Sequence, residues 1–223
     1  MAKTLLITGA SSGIGAATAR KAAEAGWNVA LVARSEDKLA KLADEIGERA
    51  LALPCDATDR DAIRDAMARA AERFGTLDAV YANAGTGTNK PGIENGDPDD
   101  WHTMIHINIL AVLYAAHEAI PHLKKTKGHF LVTGSKAGRD NMKGSVYSAT
   151  KWFVHGFGEN LAEEMREWGG RCTVIAPGMV NTAFFDDDMP TKIQPEDVAS
   201  AVVYALEQPK TAAVREIYIM PND

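Results

Sequence analysis

The segment Thr8-Gly-Ala-Ser-Ser-Gly-Ile-Gly15 joins a short apolar run to an amphipathic run. Such a turn between a strand and a helix can present backbone amides and the positive end of the helix to a phosphate group. In this interpretation Gly9 permits the tight turn, Gly13 admits a diphosphate close to the backbone, and Gly15 lets the helix pack on the sheet. The spacing, Gly-x-x-x-Gly-x-Gly, departs from the Gly-x-Gly-x-x-Gly of many dinucleotide-binding folds, and a plain glycine turn is the alternative.

Short apolar runs and amphipathic runs alternate along the whole chain. The predicted strands are Thr4 to Thr8, Val29 to Ala33, Ala50 to Leu53, Ala79 to Ala82, His129 to Thr133, Cys172 to Ala176 and Glu216 to Met220. The predicted helices are Ile14 to Ala25, Glu36 to Ile46, Asp59 to Phe74, Asp99 to Leu123, Ser145 to Trp168 and Pro195 to Glu207. This alternation predicts an α/β fold, a doubly wound (Rossmann) sheet of seven parallel strands with helices on both faces. The length of 223 residues suits a single domain spanning 1–223.

Chemically informative residues follow the ends of these strands. They are Thr8-Gly9, Arg34, Asp56, Asn83-Ala84-Gly85, Ser135 and Pro177-Gly178. In a doubly wound sheet, ligands bind beyond the carboxyl ends of the strands, where the strand order reverses. We therefore expect these residues to meet at one edge of the sheet.

Composition excludes several classes of function. The net charge of -6 makes nucleic acid an improbable partner, because phosphate backbones attract basic surfaces. The apolar N-terminal run is too short for a signal peptide, and we expect no membrane-spanning stretch, which together favour a cytoplasmic protein. The cysteines, Cys55 and Cys172, are too few for a disulfide framework. His102 and His106 have helical spacing but lack an intervening Glu and a third ligand, so no metal site is expected.

Tyr147 and Lys151 are four residues apart, which places both side chains on one face of a helix. A free tyrosine ionises near pH ~10, so a pKa of ~7 requires roughly 4 kcal/mol of selective stabilisation of the phenolate. One cation about 4 Å away at an effective dielectric of ~20 supplies an energy of that order. The pair is therefore a candidate acid-base catalyst in which Lys151 lowers the pKa of Tyr147.

Together, Thr8 to Gly15, Asn83-Ala84-Gly85, Ser135 and the Tyr147–Lys151 pair resemble the short-chain dehydrogenase/reductase family over essentially the whole chain. The resemblance implies a nicotinamide cofactor and hydride transfer to or from a carbonyl or alcohol carbon. It further implies that Ser135 orients the substrate oxygen and that Asn108 holds a water relay to Lys151. The alternative for Asn108 is a buried asparagine bonded only to backbone.

The same resemblance assigns cofactor contacts. The phosphate loop, including Ser11, Ser12 and Ile14, would hold the diphosphate, while Asn83, Ala84 and Gly85 would line the adenosine side and brace the sheet. Asp56 would contact the adenine edge, or would simply be a helix-entry residue. In the segment Pro177-Gly178-Met179-Val180-Asn181-Thr182, Pro177 and Gly178 would also contact the cofactor, and Val180 and Thr182 would meet the nicotinamide carboxamide. Tyr147 and Lys151 would contact the cofactor too, with Lys151 holding the nicotinamide ribose.

The residue after the second strand indicates which nicotinamide is bound. An acid there would hold the ribose 2′-hydroxyl of NAD, whereas an arginine suits the 2′-phosphate of NADP. This strand ends at Arg34, with Ser35 and Lys38 nearby, so NADP is predicted and NAD is the less favoured cofactor. Glu36 and Asp37 argue weakly against NADP, and a solvated loop arginine is the alternative for Arg34.

The sequence thus predicts an NADP(H)-dependent oxidoreductase acting on a carbonyl or secondary alcohol, similar to the NADP-dependent 3-hydroxy acid and serine dehydrogenase subgroup. Alternatives are a catalytically silent NAD(P)-sensing regulatory protein of the same fold and a nucleotide-sugar epimerase or dehydratase. The resemblance also implies a homodimer or homotetramer formed through an apolar face near Trp152. Asp186, Asp187 and Asp188 are interpreted as a solvated lid, and Arg139 or Lys143 as candidates to bind a substrate carboxylate.

Overall fold

A computed structural model describes residues 2–87, 92–182, 184 and 189–222. Seven parallel strands form one sheet in the order β3-β2-β1-β4-β5-β6-β7. The strands are β1 (Thr4–Thr8), β2 (Asn28–Ala33), β3 (Ala50–Pro54), β4 (Ala79–Ala82), β5 (His129–Thr133), β6 (Arg171–Pro177) and β7 (Glu216–Ile219). The predicted doubly wound fold is confirmed, and each predicted strand boundary lies within one residue of the observed one. Asp186, Asp187 and Asp188 lie outside the described residues.

The helices lie on both faces of the sheet. They are α1 (Gly13–Glu24), α2 (Glu36–Ile46), α3 (Arg60–Phe74), α4 (Pro98–Ile105), α5 (Ala111–Thr126), α6 (Val146–Arg166) and α7 (Pro195–Glu207). Side chains alternate along each strand. Leu6 of β1 therefore packs in the core beneath α3, α5 and α6. Leu5 and Ile7 pack in the opposite core beneath α1, α2 and α7.

The strand order reverses between β1 and β4. The chain runs outward from β1 through β2 to β3, and then returns so that β4 pairs with the other side of β1, Leu5 opposite Ala79. This arrangement separates the loop after β1 from the loops that follow β4 and β5. It opens the crevice in which doubly wound proteins bind their ligands.

The fourth predicted helix differs from the observed one in its middle. The prediction of a single helix from Asp99 to Leu123 becomes α4 and α5 joined by a π-helical turn, His106–Leu110. A π-turn inserts an extra residue into a helix without interrupting it, and such turns recur at functional sites. Hydrophobic periodicity does not reveal an inserted residue of this kind.

The continuous helical segment 98–126 also corrects the expectation that no stretch reaches membrane-spanning length. The segment has 29 residues, and an 18-residue window within it has a mean hydropathy of 1.3, so it could span a membrane by length and composition alone. Val112, Ala115 and Ala119 of this segment are nevertheless buried against the sheet in the core that α3 and α6 share. Its apolar character is that of a core helix packed inside this fold.

His129, the first residue of β5, is expected to make the folded state less stable as the pH falls below neutral. Its side chain is 2% exposed, and burial, reinforced by the charge of Arg171, lowers its pKa to about 3. The unfolded chain therefore binds a proton below pH ~6.5 that the folded chain does not bind until about pH 3, so stability falls as pH drops through this window. From pH 6.5 to 5 we expect this histidine alone to lower the free energy of unfolding by about 2 kcal/mol.

Chemical denaturation of the wild type and of His129→Gln between pH 7 and 5 measures this contribution. Thr173 Oγ1, 2.7 Å from His129 Nε2, can still bond a glutamine amide. We expect the variant to lose less stability on acidification than the wild type, while His117→Gln, on the exposed side of α5, retains the wild-type slope. Equal slopes for His129→Gln and the wild type would contradict the expectation.

Candidate active site

The glycine loop adopts the geometry that its sequence predicts. Gly9 has φ of +67°, and a Cβ there would lie 3.0 Å from Ala84 Cα. A Cβ on Gly15 would collide with the carbonyl oxygen of Gly9. Ser12 precedes α1 without forming a side-chain cap, and the first turn of α1 contains no acidic residue. The positive end of α1 is thus available to an anion that approaches through the loop.

A cleft of about 660 Å³ lies at the point where the strand order reverses. Of the residues predicted to bind a cofactor, Gly9, Ser11, Ser12, Gly13, Ile14, Arg34, Asp56, Asn83, Ala84, Gly85 and Thr182 line it. Thr86, Gly87, Asp100, Thr103, Ile107 and Phe184 also line it and were not predicted. The cleft therefore runs from the end of β2, past the start of α1, to the loop after β4.

Asn83 braces the loops on both sides of the cleft. Its Nδ2 donates to the carbonyl oxygen of Thr8 (3.1 Å), and its Oδ1 accepts from the Thr133 hydroxyl (3.1 Å). The Thr8 hydroxyl accepts from the backbone N–H groups of Asn83 and Ala84, each at 3.1 Å. The side-chain amide thus holds β1, β4 and β5 together, which matches the bracing role predicted for it.

Asp56 and Arg34 lie at the end of the cleft beside β2 and β3. Asp56 Oδ1 accepts from Thr58 N (2.9 Å) and Thr58 Oγ1 (2.8 Å). The backbone N–H of Thr58 contributes most to holding the pKa of Asp56 below its usual value, and the nearby Arg34 charge adds to this shift. Asp56 thus holds a turn and lines the cleft, whereas the helix-entry role considered for it belongs to Asp59, whose side chain caps α3 by accepting from Ala62 N. Arg34 is exposed at the rim.

Ser135, Tyr147 and Lys151 converge beside β5. Lys151, which is 5% exposed, donates from Nζ to the carbonyl oxygen of Thr133 at 2.8 Å, and its Nζ lies 5.8 Å from the centroid of the Tyr147 ring. Ser135 Oγ accepts from Ala137 N at 3.1 Å, which leaves the hydroxyl proton available to another acceptor. A serine, a phenol and an amine thus meet within one small region.

The predicted direction of the Tyr147 pKa shift is wrong for this structure. Burial raises the pKa of the phenol above its ordinary value, and the Ser135 side chain, through a hydrogen bond, offsets part of that shift. Burial also lowers the pKa of Lys151 to about 8. The prediction considered only the ammonium charge, whereas removing the phenol from water has the larger effect here.

Asn108 lies within the π-turn and is 1% exposed. Its Oδ1 accepts from Thr86 N at 2.9 Å, and its Nδ2 donates to Thr86 O at 2.9 Å and to Thr150 Oγ1 at 3.1 Å. A Cβ on Gly85 would lie 3.4 Å from Asn108 Oδ1 and 3.6 Å from Lys151 Nζ. Asn108 therefore bonds to the backbone of Thr86 in the cleft loop and to the side chain of Thr150 in α6. It joins this loop to the helix that carries Tyr147, and it is not bonded only to backbone.

The segment after β6 divides between cleft and core. Thr182 lines the cleft, and its Cγ2 would lie 3.1 Å from a Cβ on Gly13. Val180, in contrast, is 5% exposed, pairs with Ile193 and belongs to the core beneath α1. Gly178 N donates to Ile219 O at 2.7 Å. Only Thr182, of the residues predicted in this segment, presents its side chain to the cleft within the described part of the chain.

Two residues that lie beside Tyr147 and Ser135 were not predicted, Phe184 and His155. The Phe184 ring lies 5.6 Å from the Tyr147 ring, centroid to centroid, and walls the cleft beside Gly87. His155 Nε2 lies 3.0 Å from Ser135 O. His155 follows Lys151 by four positions, so the spacing that identified Tyr147 and Lys151 also points to it. Phe184 had no comparable signal in the sequence.

Arg139 does not fit the carboxylate-binding role considered for it. Its guanidinium forms a bidentate ion pair with Glu216 at the start of β7. The charge is therefore already neutralised by a residue of this chain. A substrate carboxylate would have to displace Glu216 to use it.

A model of the short chain dehydrogenase family matches residues 3–192. The chain belongs to the short-chain dehydrogenase family. A curated relative, an uncharacterized oxidoreductase of Staphylococcus aureus, is 38% identical over 98% of this chain and 97% of its own length. The family assignment predicted from the glycine loop, Ser135 and the Tyr147–Lys151 pair is confirmed.

Solved structures of this family include close structural matches. An alcohol dehydrogenase from Thermococcus sibiricus complexed with 5-hydroxy-NADP has a TM-score of 0.91 at 31% identity, covering 100% of this chain and 97% of that one. A closed serine dehydrogenase complexed with NADP+ has a TM-score of 0.91 at 28% identity, covering 98% and 94%. A 3-ketoacyl-(acyl-carrier-protein) reductase from Brucella melitensis complexed with NADH matches equally well, at 0.91 and 26% identity over 99% and 97%. The chain is thus a short-chain dehydrogenase with nicotinamide-binding relatives.

Proposed function

We propose that this short-chain dehydrogenase is an NADP(H)-dependent oxidoreductase that interconverts a carbonyl and a secondary alcohol, with Tyr147 as the general acid and base. The observation that carries the proposal is the convergence of Ser135, Tyr147 and Lys151 beside the cleft at the strand ends. A chain that only sensed a nucleotide would not need a buried lysine next to a partly buried phenol. No observation favours the sensor, so it is not proposed further.

The residues present fit a nicotinamide dinucleotide. Gly9 lies close to Ala84, and Gly15 lies close to Gly9. Because neither glycine carries a side chain, the turn leaves room for a diphosphate. The uncapped start of α1 suits the diphosphate charge, and Asp56 and Ala84 would line the adenosine side. Lys151 would hold the nicotinamide ribose, and Thr182 the carboxamide. When bound, the nicotinamide supplies or accepts the hydride.

The side chains of the protein manage the proton. During reduction, Tyr147 donates its phenolic proton to the substrate oxygen, and during oxidation the phenolate takes that proton back. Ser135 donates a hydrogen bond to the same oxygen, since its Oγ already accepts from Ala137 N. The Lys151 ammonium donates one hydrogen bond to Thr133 O, and its positive charge stabilises the phenolate that forms on Tyr147. Asn108 keeps the cleft loop in register with α6 through Thr86 and Thr150.

The substrate class is tested by following NADPH absorbance with a panel of aldehydes, ketones and hydroxy acids. Oxidation of NADPH by aldehydes or ketones, or reduction of NADP by hydroxy acids, supports the proposal. Similarity to serine dehydrogenase makes 3-hydroxy acids the first group to examine. No turnover with any member, in a protein that binds NADPH, would favour the sensor instead.

The preference for NADP rests on Arg34. It lines the cleft next to the end of β2, where the adenosine ribose is expected, and no acidic residue occupies the strand end itself. Its guanidinium can form charge-assisted hydrogen bonds to a 2′-phosphate. Of the structural relatives above, two hold an NADP form and one holds NADH, so the family admits either cofactor.

We expect Arg34→Ala to weaken NADPH binding while leaving NADH binding nearly unchanged. A charge-assisted hydrogen bond contributes about 1.5–3 kcal/mol, which corresponds to a loss of about 10- to 100-fold in affinity. Fluorescence titration with each nucleotide measures the change. Lys41→Ala, which removes an exposed cation of α2 that does not line the cleft, serves as the control. An unchanged ratio of the two affinities in Arg34→Ala would rule out the assignment.

A homodimer or homotetramer and a cytoplasmic location stay predictions. The apolar residues near Tyr147 are not all available for an interface. Val154 is fully buried, and Phe153 and Phe157 stack at 5.7 Å between centroids against the core. Trp152 is 48% exposed and is the member of this group that could contact another subunit.

A further inference from the structure

His155 lies on the same face of α6 as Tyr147, the proposed proton donor, and Lys151, the proposed stabiliser of its phenolate. Tyr147, Lys151 and His155 follow one another at four-residue intervals, and His155 is 7% exposed. A Cβ on Gly134 would lie 2.8 Å from His155 Nε2, and a Cβ on Gly138 would lie 2.5 Å from its Cδ2. The imidazole therefore fills the space between two glycines that flank the Ser135 segment.

One ring nitrogen contacts both backbone groups of Ser135. His155 Nε2 lies 3.0 Å from the carbonyl oxygen of Ser135 and 3.4 Å from its amide nitrogen. Ser135 is also the residue at which the short 3₁₀ turn Lys136–Gly138 begins, and its Oγ caps that turn. The position of the imidazole thus bears directly on the backbone that carries the serine hydroxyl.

The other ring nitrogen faces an acid from a distant part of the chain. His155 Nδ1 lies 3.2 Å from Glu216 Oε1, although without the alignment of a hydrogen bond. Glu216 is itself held by the guanidinium of Arg139, whose Nε is 3.2 Å from the same oxygen. The carboxylate joins β7, the loop after the 3₁₀ turn and α6 around the imidazole.

Burial and the charges around the imidazole of His155 determine which of its two protonation states is favoured. Burial has the largest effect and lowers the pKa of His155, and the charges of Arg139 and Lys151 act in the same direction. The hydrogen bond to the Ser135 backbone and the charge of Glu159 oppose this shift. Glu216 Oε1, 3.2 Å from Nδ1, is the carboxylate nearest the ring. When the neutral ring carries its proton at Nδ1, facing the carboxylate, Nε2 accepts the Ser135 N–H at 3.4 Å. Protonation of Nε2 reverses this role, because that nitrogen then donates to the Ser135 carbonyl.

We infer that His155 is a positioning residue for Ser135, and that Glu216 in turn orients His155. The inference rests on the proposed function only where it concerns turnover, since the contact between His155 and Ser135 is independent of the reaction. A serine that orients the substrate oxygen must hold its hydroxyl within a fraction of an ångström. A backbone shift of about 1 Å can reduce the rate by as much as 10²-fold.

Backbone NMR tests the linkage without any substrate. In the wild type we expect the Ser135 amide resonance to shift with the same midpoint as the His155 imidazole during an acid titration, at a pH below 6.5. The Ser135 shift should disappear in His155→Gln and move its midpoint in Glu216→Gln. His117→Gln, on the surface of α5, should leave the titration unchanged. A Ser135 amide that titrates identically in wild type and His155→Gln would overturn the inference.

Kinetics tests the consequence for turnover. We expect His155→Leu to lower kcat about 10- to 100-fold with little change in the NADPH dissociation constant, because the cleft does not include His155. His155→Gln, which keeps a polar group near Ser135, should recover part of that loss, and both variants should lose the wild-type change of kcat across the His155 midpoint.

Two outcomes separate the inference from the proposed function. If the wild type turns over no carbonyl or alcohol, the proposed function fails, while the NMR titration still decides whether His155 positions Ser135. If the wild type is active but His155→Leu, shown to be folded by its circular dichroism, retains wild-type kcat and pH dependence, the inference fails alone. Should His155→Leu fail to fold, Glu216→Gln, whose side chain lies nearer the surface, supplies the same comparison.

Discussion

Replacing Tyr147 with phenylalanine is expected to lower kcat by about 10²- to 10⁴-fold, the range associated with losing a general acid or base. The change removes only the hydroxyl that is proposed to donate the proton, and it leaves the ring packed against Phe184 at 5.6 Å. NADPH affinity should fall little, because Tyr147 does not line the described cleft. Steady-state rates with the best substrate of the carbonyl panel, together with an NADPH titration, measure both quantities.

Tyr204→Phe is the matched control for this substitution. Tyr204 is 57% exposed on α7, which packs on the opposite face of the sheet from α6, so its hydroxyl should be dispensable. We expect this variant to retain wild-type kcat and stability. If Tyr147→Phe, with the same circular dichroism spectrum as the wild type, kept more than a tenth of the activity, another group would have to supply the proton.

Lys151→Met is expected to abolish most activity and at the same time to stabilise the fold at neutral pH. The lysine is 5% exposed, and burial lowers its pKa to about 8. A shift of this size from the ordinary lysine pKa corresponds to about 3 kcal/mol of destabilisation when the group is charged. Methionine removes that penalty but leaves Thr133 O without its 2.8 Å donor, which costs about 1–3 kcal/mol. The difference between the two effects is a net gain of up to about 2 kcal/mol for the variant at pH 7.

The pH dependence of this gain identifies its cause. Between pH 8 and about 10.5 the unfolded chain binds a proton at Lys151 that the folded chain has released, so wild-type stability rises with pH across this window. The stability difference between Lys151→Met and the wild type should therefore shrink as pH rises from 8 to 10. Urea denaturation at several pH values measures it, with Lys125→Met, an exposed change at the end of α5, as the control. A difference that stays constant with pH would show that desolvation of Lys151 is not its source.

The loss of activity in Lys151→Met has a separate reason. The ammonium is proposed to stabilise the phenolate of Tyr147, and removing one such preorganised charge costs about 10²-fold or more in kcat. A variant that is more stable and less active than the wild type indicates that the lysine is kept for function at a cost in stability. Loss of both stability and activity would indicate instead that Lys151 supports the fold.

The segments whose structure was predicted well are those governed by short-range physics. The turn from β1 into α1 follows from the glycines at Gly9, Gly13 and Gly15, because their conformations and close contacts exclude side chains. Helix α2 begins and ends where predicted, at Glu36 and Ile46, since its amphipathic period is regular. Regular periods and turn residues carry their information within a few positions of the chain.

The features that were missed depend on contacts between distant residues. The π-turn around Asn108 arises in a helix whose apolar pattern gives no sign of an inserted residue. The raised pKa of Tyr147 reflects the partial removal of the phenol from water by the surrounding segments, whereas the charge of Lys151 considered alone predicts a lowered pKa. Phe184 reaches the cleft from the segment after β6, whose course is not set by a regular pattern.

The sequence by itself determined the doubly wound sheet, the phosphate loop and the pairing of Tyr147 with Lys151, because strand, turn and helix periods act over short distances. Only the tertiary structure decided that Lys151 is buried on Thr133, that Asn83 ties three strands together, and that Glu216 lies against His155 beneath Ser135. Burial and long-range hydrogen bonds depend on which elements pack side by side. These contacts form only after the sheet has brought residues that follow or belong to β1, β5 and β7 close together.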